Sequence, residues 1–225
     1  MRNRLRATAI ALAASACLPA TAAAATVRAT PTASCEEGAI AALVGDYAMS
    51  FERTTPTCSG TTADVGGHSY SGPSTPAWEE RGLLLEFGDI ASSVPARATI
   101  TAATLALYKE SGSADGIRVV QGDVYDAPGY GSVSAPASGA TFLVDVTSIV
   151  SAWQSARATT PSFAPLHVVE DSAASLLIDG WSWGDNELNA CAVFLTAGCA
   201  AGSQTLSTLS SSVALRRPFL LVDHR

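Results

Sequence analysis

The stretch PARATITAATLALY (95–108) decides the fold. After Pro95, the residues Ile100, Ala102, Thr104, Ala106 and Tyr108 alternate with Ala103, Leu105 and Leu107. Side chains two apart share one face of a strand, so this is the period-two pattern of a β-strand. Both sets are apolar or small, which predicts a strand covered on both sides. Similar short runs flank it: RGLLLEF (81–87), GIRVVQGDVYD (116–126), FLVDV (142–146), FAPLHVVE (163–170), SLLIDGWSW (175–183), ACAVFLTA (190–197) and LRRPFLLVD (215–223). Gly/Ser/Pro-rich connections separate them, among them Gly112–Gly116 and Pro128–Gly139. One segment breaks the pattern. TSIVSAWQSA (147–156) places Ile149, Val150 and Trp153 on one helical face, with Thr147 in position to cap it. Many short strands and one short helix predict an all-β, jelly-roll-like β-sandwich. A doubly wound or barrel α/β layout needs repeated helices that this pattern lacks.

Upstream, Thr54–Ala77 reads as a long Thr/Ser/Gly/Pro loop with a short strand around His68–Tyr70, and Ala41–Arg53 reads as a first strand. Residues 26–40 read as a leader or linker, and 41–225 as one domain. Residues 1–25 (MRNRLRATAIALAASACLPATAAAA) have the pattern of a secretory signal peptide. Arg2, Arg4 and Arg6 form a positive start, a short apolar stretch follows, and Ala23 and Ala25 make an A-x-A site with cleavage before Thr26. Pro19 and the short Ala-rich run argue against a membrane anchor. Cys17 lacks the large aliphatic residue three places earlier that lipidation uses. No later apolar run is long enough to predict a transmembrane span. The expectation is an exported, monomeric protein.

Across all 225 residues, 48% are hydrophobic and 15% charged, with 13 Lys+Arg against 20 Asp+Glu. That apolar content excludes a disordered chain, and the acidic balance argues against nucleic acid or an anionic membrane as partner. Removing residues 1–25 takes three basic residues and no acidic one, so the exported chain carries 10 basic against 20 acidic. It keeps four cysteines: Cys35, Cys58, Cys191 and Cys199. An even count in an exported chain predicts two disulfides. Cys35–Cys58 with Cys191–Cys199 closes two local loops and is one of three connectivities. Zinc spacing is absent.

Three segments carry a resemblance. They are Arg81, Phe87, Pro95, Ile100, Ala103, Leu105 and Tyr108; then Asp145, Val146, Thr147, Val150 and Trp153; then Arg217, Pro218, Leu220 and Val222. In this order and spacing, residues 81–223 resemble the DNRLRE-type domains of secreted bacterial and archaeal proteins. The resemblance implies a jelly-roll sandwich with a non-catalytic carbohydrate-binding role. The family's Asn-Tyr-Gly near the start is missing here, and Ala156 stands where a Gly follows the helix Trp.

For chemistry, no G-x-S-x-G elbow marks a nucleophile, and nothing ties His68, His167 or His224 into a triad. Carboxylate pairs at Glu79-Glu80, Asp123/Asp126, Glu170-Asp171 and Asp179/Asp185/Glu187 keep a glycosidase in view. Asp179, Asp185 and Glu187, with Asn186 on a Gly-containing stretch, suit calcium, although the spacing is not an EF-hand. A plain polar turn is the other reading. Trp181 and Trp183 share a strand face beside Asp179, Asp185, Asn186 and Glu187. An aromatic face with hydrogen-bonding neighbours suits a sugar, while core packing is the alternative. Trp78 beside Glu79-Glu80 is a second aromatic candidate, and Tyr125, Asp126 and Tyr130 a third. The leading expectation is a non-catalytic domain with a polysaccharide or cell-surface glycan as partner, or an association with the cell envelope. The alternatives are a secreted polysaccharide lyase or glycoside hydrolase, and an extracellular structural or adhesive module with a protein partner.

Overall fold

The structure, a computed structural model, describes residues 24–44, 48–71, 76–112, 116–122, 130–134, 137–170 and 202–225. Its strands are β1 (Ala25–Ala29), β2 (Ala33–Val44), β3 (Ala48–Arg53), β4 (Thr62–Ser71), β5 (Pro76–Glu86), β6 (Ile100–Gly112), β7 (Gly116–Gln121), β8 (Tyr130–Ser134), β9 (Ala140–Asp145), β10 (Leu166–Glu170), β11 (Ser203–Ser207) and β12 (Phe219–His224). The helices are one turn, α1 (Ile90–Ser93), and α2 (Thr147–Ala156). Every pairing among these strands is antiparallel.

Two long strands organise the two layers. β6 pairs with β12 and then β11 along one edge and with β9 along the other, giving a layer ordered β1–β12–β6–β9. β5 pairs with β4 and then β10 along one edge and with β2 along the other, giving a layer β3–β2–β5–β10–β7–β8. The pair β4–β11 ties the layers together at a corner. That corner needs backbone without a Cβ. Gly66 (φ 129°) and Gly112 (φ 108°) flank the start of β11, where an added Cβ would sit 2.2 Å from the Gly202 carbonyl oxygen and 2.3 Å from that of Ser203. Glycine is the residue that occupies such φ values at no steric cost.

The core lies between the layers. Leu105, Leu107, Val144, Leu220 and Val222 from one side meet Leu83, Leu85, Val119, Leu166 and Val168 from the other, all buried. One end is closed by α2, whose Ile149, Val150 and Trp153 are buried as the helical period requires. Trp153 meets Phe163 edge-on at 5.2 Å, and the Arg157 guanidinium lies 5.0 Å from its ring. Arg157 is held there by the Val94 carbonyl at 2.6 Å and by the Ala91 carbonyl.

The all-β sandwich and the helix stand as read from the sequence, and the Cys35–Cys58 disulfide is formed. Cys191 and Cys199 lie outside the described residues. Several boundaries differ. Residues 26–40 are no leader: they form β1, paired with the last strand, and much of β2. Their Thr and Ala content is low in large apolar residues because β1 is a mostly exposed edge. The single strand expected at Ala41–Arg53 is instead divided between the end of β2 and the whole of β3, which pair antiparallel. Within the expected loop Thr54–Ala77, residues 62–71 form β4, where paired glycines mimic loop composition. β8 likewise occupies part of Pro128–Gly139. Thr147 does not cap α2. Its hydroxyl bonds the backbone of Ala103 on β6, and the Asp145 carboxylate accepts the Thr147 N–H at 2.9 Å.

Candidate functional site

The two layers differ on their outward faces. On the β2–β5–β10–β7 layer, residues opposite the core are themselves buried: Glu37, Ala39, Glu80, Val120, His167 and Val169. Glu37 and His167 make a buried polar pair there, with Oε1 2.5 Å from Nδ1. The strand between them offers Gly82, which is directly opposite Glu37 and has no side chain to obstruct the crossing.

The β1–β12–β6–β9 layer is different. Its outward face is open. Antiparallel register sets Leu143, Ala106 and Phe219 in one row and Asp145, Thr104, Leu221 and Arg28 in the next, with Thr141 and Tyr108 on the other side of the first. Leu143 is 57% exposed, and Tyr108, Phe219, Leu221 and Thr104 are half-buried. Tyr108 and Phe219 are diagonal neighbours, close enough for one extended ligand to touch both. Each ring carries a guanidinium over its face: Arg28 lies 3.9 Å from the Phe219 centroid and Arg216 lies 4.7 Å from that of Tyr108. Arg216 is also paired to Glu110 at 2.8 Å, and Ser207 donates to Glu110 at 2.5 Å. The bond from Ser207 does most to hold the Glu110 carboxyl below its ordinary value; burial opposes it, and Arg216 adds to the lowering by its hydrogen bond and charge. Hydrogen bonds from Thr147, by hydroxyl and then backbone N–H, do the same for Asp145 at the face's lower margin. The face therefore offers apolar and aromatic surface ringed by ionised hydrogen-bonding groups. Such a mixture suits a polyhydroxylated ligand, which presents C–H patches and hydroxyls together.

A groove of about 170 Å³ opens beside α2, lined by Gln121, Trp153, Thr160 and Ser162 over Ala152, Ala156 and Ala164. Trp153 is only 4% exposed, so its ring is committed to packing.

Of the residues singled out in the sequence, Asp179, Trp181, Trp183, Asp185, Asn186 and Glu187 lie outside the described residues. They belong to the segment joining β10 to β11. Both strands meet that segment at the end of the sandwich opposite α2, beside Ile117 and Gly66. Trp78 has its backbone in β5, opposite Ala41 and Ser69. Its side chain, like that of His68, lies outside the described set. Glu79 and Glu80 are not a catalytic pair. Neighbours on a strand point to opposite faces, and Glu79 bonds Arg81 at 2.7 Å while Glu80 is 2% exposed. Glu170 accepts the Gly67 N–H at 3.2 Å; Asp171, like Asp123, Tyr125 and Asp126, lies outside the description, and Tyr130 opens β8. Among the described residues no group of His, Cys, Asp and Glu has the arrangement of a metal site, and no helix is long and apolar enough to cross a membrane.

The open face was missed in the sequence. Reading 98–108 as covered on both sides came from Ala102, Thr104 and Ala106, which are small enough to sit on either a buried or a solvent-facing surface. A scan against protein-family models finds no match to this chain, and a search of curated proteins finds none either.

Proposed function

We propose that this chain is an exported, non-catalytic module that binds a polysaccharide or cell-surface glycan, or associates with the cell envelope through one. The observation that carries this reading is the open β1–β12–β6–β9 face, where Tyr108 and Phe219 sit with Leu143, Arg28, Glu110 and Asp145 on one surface. Apolar contact supplies affinity there and the charged rim supplies hydroxyl partners. The 171–201 segment, with Trp181 and Trp183 and their acidic neighbours, is a second contact region in the same reading, and calcium at Asp179, Asp185 and Glu187 would belong to it.

A glycan array with the exported chain tests this. Binding that falls at least tenfold in a Tyr108→Ala/Phe219→Ala variant with unchanged circular dichroism supports the face. A loss in Trp181→Ala alone moves the site to the 171–201 segment. Silence on every polysaccharide sinks the proposal, and release of reducing or unsaturated sugar products replaces it with a hydrolase or lyase.

A further inference from the structure

The chain's first described strand lies against its last. β1 pairs residue by residue with β12, from Ala25 opposite His224 to Ala29 opposite Leu220. In this ladder Thr26 faces Asp223, and its hydroxyl donates to Oδ1 of Asp223 at 2.5 Å. The other carboxylate oxygen, Oδ2, has no hydrogen-bond or ion-pair partner among the described residues. Both residues reach solvent. The A-x-A sequence of Ala23 and Ala25 ends at the first residue of this strand. A cut after Ala25 thus removes one rung of the ladder and leaves Thr26, Val27, Arg28 and Ala29 paired.

We propose that the Ala25–Thr26 bond is a processing site whose hydrolysis builds an ion pair, the new Thr26 α-ammonium docking on Asp223. The inference rests on reading the chain as exported. Water, with a leader peptidase as catalyst, breaks the C–N bond. Its hydroxyl completes the Ala25 carboxyl group and its proton goes to the Thr26 nitrogen, which at neutral pH takes up one more proton from solvent. The amide, a neutral donor before the cut, becomes a cation on the very residue whose hydroxyl already touches Asp223. Processing therefore does more than discard the leader. It pins the first strand of the mature chain to its last, at the edge of the layer that carries the open face.

The sign of the pH dependence follows. An ammonium with a carboxylate partner in the folded state has a raised pKa. Its contribution is fully present below the α-amine range of about 7.7–8.0 and is lost as pH climbs through the folded value. Exposed ion pairs are weak, so in a chain of this size the melting temperature should move by roughly 1–3 °C.

The test uses four chains beginning at Thr26, released from a tag that leaves no extra residue. Two carry a free α-amine and two an acetylated one, each with Asp223 or with Asp223→Asn. The free amine should raise the melting temperature at pH 6 in the Asp223 background only, and the gain should vanish by about pH 10. Equal melting of the free and acetylated Asp223 chains, or an equal gain with Asp223→Asn, overturns the ion pair. The reading beneath it is tested separately by the intact mass of protein secreted from a bacterial host. A chain beginning at Thr26 supports the processing site; a retained leader or another first residue overturns it whatever the melting curves show.

Discussion

Glu37 of β2 reaches over β5 to His167 of β10, Oε1 to Nδ1 at 2.5 Å, passing the strand where Gly82 stands. Both partners are more than nine-tenths buried. A buried polar group that loses its partner costs about 1–3 kcal/mol. Glu37→Ala should therefore destabilise the protein by that amount in denaturant melts. A Glu37→Leu/His167→Leu pair, which removes both polar groups together, should cost much less than the two single changes added. Gly82→Val, which puts a side chain under the crossing, should resemble Glu37→Ala. Additive single and double variants would show that the two side chains do not interact.

The corner between the layers makes a sharper demand. Ala at Gly66 or Gly112 must adopt a φ that L-residues avoid, and its Cβ would meet backbone at 2.2–2.3 Å. Backbone cannot rotate away as a side chain can. Gly66→Ala and Gly112→Ala should each cost about 1–3 kcal/mol or more, whereas Gly88→Ala, whose nearest neighbour is a Thr32 methyl at 3.4 Å, should be close to neutral. Thermal melts of the three side by side decide this.

Trp153 closes the end of the core through α2. Trp153→Ala should cost about 3–5 kcal/mol and widen the groove that Trp153 lines with Gln121. Trp153→Phe keeps the edge-on contact with Phe163 and should recover more than half of that loss. Near-UV circular dichroism together with urea unfolding reads both effects. A Trp153→Ala protein as stable as the parent would mean that the helix is not part of the core.

The sequence carried the β-sandwich and α2 plainly because large apolar residues mark buried faces. Leu105 and Leu107 could only point inward, and Ile149, Val150 and Trp153 could only be one helical face. It hid β1, β2, β4 and β11, where the strands are built from Thr, Ser, Gly and Ala. Residues such as Gly66, Gly67 and Ser203 read as turn chemistry, and only long-range pairing with β5 and β6 makes them strands. The open face was hidden for a related reason. Phe219 and Tyr108 are distant in sequence, and their diagonal placement exists only because β12 pairs with β6 in one register. The cues at Trp181 and Trp183 are local in sequence, whereas a face on a sheet is assembled across strands.

The Cys35–Cys58 bond offers a last prediction, because it ties β2 to a loop that also pairs with it at one bridge. Glu36 and Thr57 exchange both backbone bonds, at 2.8 and 2.9 Å, so the two cysteines are the next facing pair on this short ladder. The bond closes a loop with a sequence separation of 23, and chain-entropy arguments give such a crosslink about 3 kcal/mol. A Cys35→Ser/Cys58→Ser variant should unfold at lower denaturant by roughly that free energy, with the loss concentrated in the segment 54–61 that β2 holds by its edge. Hydrogen exchange should then show early opening at Glu36 and Thr57 while Leu105 and Val168 stay protected. Uniform loss of protection across the core would mean instead that this crosslink supports the whole sandwich and not its margin. Alkylation of the unreduced protein followed by mass measurement adds the count of free thiols: none is expected from the exported chain, and any label on Cys35 or Cys58 would contradict the bond.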